Sequence, residues 1–267
     1  MTFLQIIVAT LAAGIGSVWL AAGLARAGLI APAGETSTYV GPQHLLSLAA
    51  GALLATAFMH LLPEAFDSQA GAQALFTTLL VGLVFFFLLD KAELWHHGHE
   101  HHAHDDHTHH DHHHHDEAPR PRGWAVLTGD SVHCFGDGVL IASAFIAQPR
   151  LGWVAAVAVL AHEVPHHIGD LAVVRMTSAS RRVALVKVSL AGAVTVLGGV
   201  VGYLMLDHVR VALPYFLVVA SSSFLYVALA DLIPQLQRRL SARETLVQVA
   251  WLLVGIAMVT VASQLSH

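Results

Sequence analysis

Two apolar stretches of the chain carry side chains that can ligate a cation. The first reads GDSVHCFGDGVLIASAF and holds Asp130, His133, Cys134 and Asp137. The second reads LAHEVPHHIGDLAVV and holds His162, Glu163, His166, His167 and Asp170. On a helix, His133 and Asp137 are four residues apart and share a face. Asp130 sits one turn earlier, and Cys134 flanks the same face. In the second stretch two pairs with the same spacing overlap, His162 with His166 and Glu163 with His167. Asp170 extends the first row by a turn. Pro165 removes a backbone hydrogen bond, kinks its helix and frees a carbonyl near residue 161. Gly136 and Gly138 bracket Asp137 and let another backbone come close. Imidazole, carboxylate and thiolate are the ligands of zinc-class ions, which hold them at about 2.0–2.3 Å. Any one of these residues could simply cap a carbonyl or pack between helices. Seven together (His133, Cys134, Asp137, His162, Glu163, His166 and His167) in an apolar setting need a cation or water to satisfy them. Asp130 and Asp170 are weaker candidates for the same pathway. So are His60 and Glu64 in AFMHLLPEAF, which could line an entrance or sit at an interfacial helix end. Asp231 in FLYVALADLIP reads as a structural or gate residue, not a ligand.

A second kind of candidate lies between these stretches and the preceding apolar run. From His96 to Glu117 the chain reads HHGHEHHAHDDHTHHDHHHHDE, with thirteen of its 21 histidines. With Ala103 as its one apolar side chain it cannot bury a core and is expected to be disordered. His-rich tracts bind zinc, copper, nickel or iron(II) by composition. His96, His97, His99, His101, His102 and His104 begin the tract, which could capture metal weakly or serve only as a solvated linker.

The elements that must position these residues follow from hydropathy. Of 267 residues, 55% are hydrophobic and 12% charged, about half the charged share of a soluble domain. A bilayer span needs about 20 mainly apolar residues. Eight such stretches predict an all-α, polytopic membrane protein with spans near 3–24, 44–62, 74–89, 124–146, 153–174, 184–206, 211–232 and 246–263. The candidate metal site then lies between the fourth and fifth. Residues 1–95 supply spans one to three, 96–122 a His-rich cytoplasmic loop and 123–267 the remaining five, all within one transmembrane domain. The first span lacks the positive leading region of a signal peptide and is retained as a span. Eleven of the thirteen basic residues fall on one set of loops, and only Arg150 and Arg210 on the other. The positive-inside rule therefore puts both termini outside and the His-rich loop in the cytoplasm. The membrane is the cell membrane, or the inner membrane in a bacterium. One cysteine excludes an internal disulfide. Scattered basic residues give no nucleic-acid surface. Small residues in AAGIGS, AGAVTVLGG and ASSS could pack helices within the chain or join two copies as a homodimer.

HCFGDG and HEVPHHIGD resemble the fourth and fifth spans of ZIP (Zrt/Irt-like) divalent metal transporters. The similar branch has HNFxDG and HExPHExGD motifs and a His-rich loop before the fourth span. FMHLLPEA and FLYVALADLIP are similar to its second and seventh spans. The resemblance covers nearly the whole chain. It implies an elevator-type carrier with a binuclear site, and zinc uptake into the cytoplasm. One site would use His133, Asp137, His162 and His166; its neighbour would use Cys134, Asp137, Glu163 and His166, with His167 nearby. Two positions depart from the family pattern: Cys134 replaces an asparagine and His167 a glutamate. Both softer donors favour zinc over manganese, with cadmium or iron(II) tolerated. The sixth span has no acid that could complete the second site. No organic cofactor is implied.

Other readings exist. HEVPH matches the HExxH signature of zinc proteases, which would make the chain an intramembrane protease. Pro165 inside the motif and the extra potential ligand His167 oppose that, so no enzymatic activity is expected. Export in place of uptake is not distinguishable by residue type.

Overall fold

The computed structural model of the protein describes residues 2–28, 41–98, 122–206, 210–232 and 241–265. The long elements among them are helices: α1 Thr2–Arg26, α2 Gln43–Phe66, α3 Ala72–Gly98, α4 Arg122–Ala147, α5 Pro149–Met176, α6 Arg181–Leu206, α7 Leu213–Ala230 and α8 Ala242–Leu265. Among the described residues there is no strand. Seven of the helices are long and apolar enough to cross a membrane. The eighth, α5, has 28 residues, which at 1.5 Å per residue is about 42 Å, but its ligand row makes it less apolar than the others.

Local sequence explains several helix ends. Gln148 is extended, and Pro149 occupies the first helical position of α5, where its missing N–H costs nothing. This single-residue joint turns α4 straight back into α5, so the two run antiparallel. Ser180 caps α6 by accepting from the Val183 N–H at 3.3 Å. Helix α3 runs nine residues past the apolar stretch that ends at Leu89, into Gly98. The start of the His-rich tract, His96 and His97, thus belongs to the helix backbone. His99, His101, His102, His104 and the rest of the tract to Glu117 lie outside the described residues, as does the side chain of Asp231.

The helices associate as two groups. In one, α1, α4, α5 and α6 pack on one another; in the other, α2, α3, α7 and α8 do so. Close backbone approach marks each group from within. A Cβ on Gly138 would meet the Thr195 carbonyl oxygen, and one on Gly198 the Phe135 carbonyl oxygen, both between α4 and α6. A Cβ on Gly51 or Gly255 would meet the facing carbonyl of Leu252 or Leu48, between α2 and α8. The groups meet mainly along α2 and α5, with smaller contacts of α8 on α5 and α7 on α4. Ala49 and Leu53 of α2 and Ala155 and Val159 of α5 belong to one buried apolar cluster. Helices α3 and α8 bury only 11% of their apolar windows and present the remainder outward.

Three helices carry a single wider π-turn: Ala12–Gly16 in α1, Ala57–Leu61 in α2, and Val227–Leu232, which overlaps the end of α7 and runs two residues past it. π-turns insert one extra residue and often occur at functional sites.

Candidate metal centre

The joint at Gln148 brings the ligand rows of α4 and α5 face to face. The first cluster is His133, Asp137, His162 and Glu163. His162 Nε2 stands 3.2 Å from His133 Nε2, 3.2 Å from Asp137 Oδ2 and 3.2 Å from Glu163 Oε1. His133 Nε2 is 3.3 Å from Glu163 Oε1 and 3.8 Å from Asp137 Oδ2. The second cluster is Asp130, Cys134, Glu163 and His167. Here His167 Nε2 is 3.1 Å from Glu163 Oε2 and 3.7 Å from Asp130 Oδ1. Cys134 Sγ lies 3.6 Å from Asp130 Oδ1 and 3.8 Å from Glu163 Oε2.

These separations carry information. Four ligands held tetrahedrally at 2.0–2.3 Å from one ion stand about 3.3–3.7 Å from each other. The observed values of 3.1–3.8 Å bracket that range in both clusters. Hydrogen bonding explains only some of them: His133 with His162, and Cys134 with Asp130 and Glu163. Asp137 Oδ2, Glu163 Oε1 and His167 Nε2 are buried and have no hydrogen-bond partner. Buried polar groups are normally paired, so atoms that converge without pairing fit a cation between them. Glu163 is shared, with Oε1 in the first cluster and Oε2 in the second. Its side chain is 1% exposed, so neither oxygen has water to turn to.

The grouping differs from the one the family resemblance implied. Asp137 joins the first cluster only, and the residue common to both is Glu163, not His166. The His166 side chain is 41% exposed and its ring stacks on that of His133, centroids 5.5 Å apart at 17°. His166 groups instead with Asp130 and Asp170. His60 and Glu64 join neither cluster. His60 lies in the α2 π-turn with Nε2 unpaired, and Glu64 accepts from the Gln148 side chain at 2.9 Å on both oxygens.

One residue absent from the sequence-based candidates touches the centre. Ser17 Oγ, just after the π-turn of α1, lies 2.9 Å from His167 Nδ1. The hydroxyl has one proton and donates it to the Gly14 carbonyl at 2.5 Å. It must therefore accept from His167, which fixes the proton on Nδ1 and leaves Nε2 with a free lone pair facing the second cluster. A metal-binding histidine is commonly held in this way by a partner on its other nitrogen.

Burial differs between the two ends of the centre. Beyond it, towards Gln148, Leu140, Ile141, Phe145, Leu151, Val154 and Val159 are buried. On the opposite side, where α4 begins and α5 ends, Val132, His166 and Gly169 are exposed and His133 is partly so.

The family model for the ZIP zinc transporter matches residues 90–263, which hold both clusters. The chain belongs to the ZIP family. Among curated relatives it is 36% identical to zinc transporter ZIP10 of Danio rerio over 113 residues, 42% of this chain and 13% of that protein. It is 36% identical to zinc transporter ZIP4 of Homo sapiens over 111 residues, covering 42% of this chain and 17% of the relative. To zinc transporter ZIP13 of Pongo abelii it is 26% identical over 239 residues, 83% of this chain and 66% of the relative. The matched region is thus a small part of the first two relatives and about two thirds of the third.

Proposed function

We propose that this ZIP-family chain carries a divalent metal ion, zinc above all, across the membrane into the cytoplasm. The observation that carries this reading is the pair of clusters joined through Glu163, with ligand separations that suit ions of zinc's size. Their charge suits it too. Asp130, Asp137 and Glu163 supply three negative charges against the four positive charges of two divalent ions. A thiolate on Cys134 supplies the fourth, because a metal deprotonates the thiol it binds. A dehydrated ion pair would then travel near neutrality through an apolar setting, where net charge is expensive. Sulfur and three imidazoles favour zinc over manganese and leave room for cadmium or iron(II).

Eight spans with both termini outside fit the basic-residue pattern and the length of α5. The buried side of the centre then faces outward and the exposed side faces the cytoplasm. In the family's elevator scheme, the group of α1, α4, α5 and α6 would slide against α2, α3, α7 and α8. Tight glycine contacts within each group and smoother apolar packing between them suit such a movement. Zinc flux into proteoliposomes of known orientation tests the proposal. Uptake from the side of the termini, in preference to manganese, is the expected result. No zinc flux, or faster manganese flux, would overturn it.

A further inference from the structure

Asp130 belongs to two of the ligand groups, one with Cys134, Glu163 and His167 and one with His166 and Asp170. Its Oδ1 faces Cys134 and His167. Its Oδ2 is buried and has no hydrogen-bond partner. One turn further along α5 than His166, Asp170 is 8% exposed and its Oδ2 is also unpartnered. His166 Nδ1 lies 3.9 Å from that oxygen, too far for a hydrogen bond. Ligand atoms of Asp130, His166 and Asp170 all fall within 4.8 Å of one another. Because α4 and α5 are antiparallel, all three stand at the same end of the centre. That end is the exposed one.

We propose that Asp130, His166 and Asp170 form a third cation station, which receives a divalent metal from the second cluster and passes it to the side where α4 begins. The proposal rests on the transport reading and adds a route to it. Asp130 bridges the step: an ion leaving Cys134, Glu163 and His167 keeps its bond to this carboxylate while it shifts from Oδ1 to Oδ2. On arrival it gains Asp170 and the half-exposed imidazole of His166. Three protein ligands leave at least one position open to water. The station also lacks sulfur and the second imidazole–carboxylate pair of the deeper clusters. It is therefore the weaker holder, and release demands a site that an ion can leave. The two orphaned carboxylate oxygens are the independent sign of a ligand, since burial without a partner is costly for both.

Cadmium is the probe. Crystals of the full chain soaked in cadmium should give anomalous density at both deeper clusters and a third peak among Asp130, His166 and Asp170. In Asp170→Asn the third peak should vanish while the first two stay, and zinc flux should fall several-fold through slower release. If Asp170→Asn does not fold, His166→Gln alters the exposed ligand and should have the same two effects. Filled deeper clusters with nothing at the third position would overturn the station but leave the transport reading standing. Unchanged flux after loss of the third peak would overturn its role in the route. No density at any of the three would overturn both.

Discussion

The two helix groups bury different kinds of polar side chain. In α2, α3, α7 and α8 they are hydroxyls: Ser47, Thr56, Ser221 and Ser222 each donate to the carbonyl four residues earlier, at 2.9 Å in every case. These residues are satisfied within their own helices. In α1, α4, α5 and α6 they include Asp130, Asp137, His162, Glu163, His167 and Asp170. Several of their atoms converge on one another without hydrogen bonds. The buried hydroxyls of the first group are therefore satisfied, and its unpaired atoms, Nε2 of His60 and of Gln248, lie singly, whereas the second group gathers unpaired acids and imidazoles in one place. A fixed frame and a cargo carrier would differ in this way.

Substitutions can break that contrast, and the largest effect should come from the unsatisfied set. Asp137→Ala is expected to abolish zinc flux in proteoliposomes without lowering expression; retained flux would sink the first cluster as a transport site. Next comes Ser17→Ala. Without an acceptor on Nδ1, His167 loses its fixed tautomer, and affinity at the second cluster should drop about 10–100-fold. Cadmium titration should show that loss with the first cluster unchanged. Acid should act in the same direction. Protonated imidazole cannot ligate, so flux should fall as pH drops from about 7.5 to about 5.5. Rates measured across that interval check the sign, and a rate that rises on acidification contradicts it.

Smaller effects should be shared by both groups, because both use the same packing. Gly198→Val and Gly255→Val each force a side chain against a carbonyl and should cost about 1–3 kcal/mol of stability. Thermal unfolding in detergent should register both, whichever group is altered. Ser222→Ala should do least. It loses contacts to Val218 and to Leu79 of α3, worth about 0.6 kcal/mol in a membrane protein, and should leave zinc flux near the unsubstituted rate.

How much of this was legible in the sequence depended on whether one helix or several decided it. The pairs His133–Asp137 and Glu163–His167 could be read because spacing within a helix sets them. The place of Glu163 in both clusters could not, because it depends on how α4 and α5 are rotated against each other. His166 shows the same limit: it shares a row with His162, yet it faces α4 one turn further on, with its ring on His133 and its ligand group with Asp130 and Asp170. Ser17 was hidden further, since it lies 150 residues from His167 and its position follows a π-turn that residue types do not announce. Hydropathy located the apolar cores of the helices. It missed the end of α3, because DKAELWHHG is polar and a helix can continue beyond the bilayer.

The π-turn in α1 also makes the winding at that point matter. An α-helix advances about 100° per residue, and the π-turn at Ala12–Gly16 absorbs one residue of that advance. Wound as an ordinary α-helix with no residue lost, the segment would carry Ser17 round by about that angle, away from His167. The most regular form of this helix is thus not the useful one. The surplus residue acts as a phase setting, and the second cluster is tuned to it from another helix.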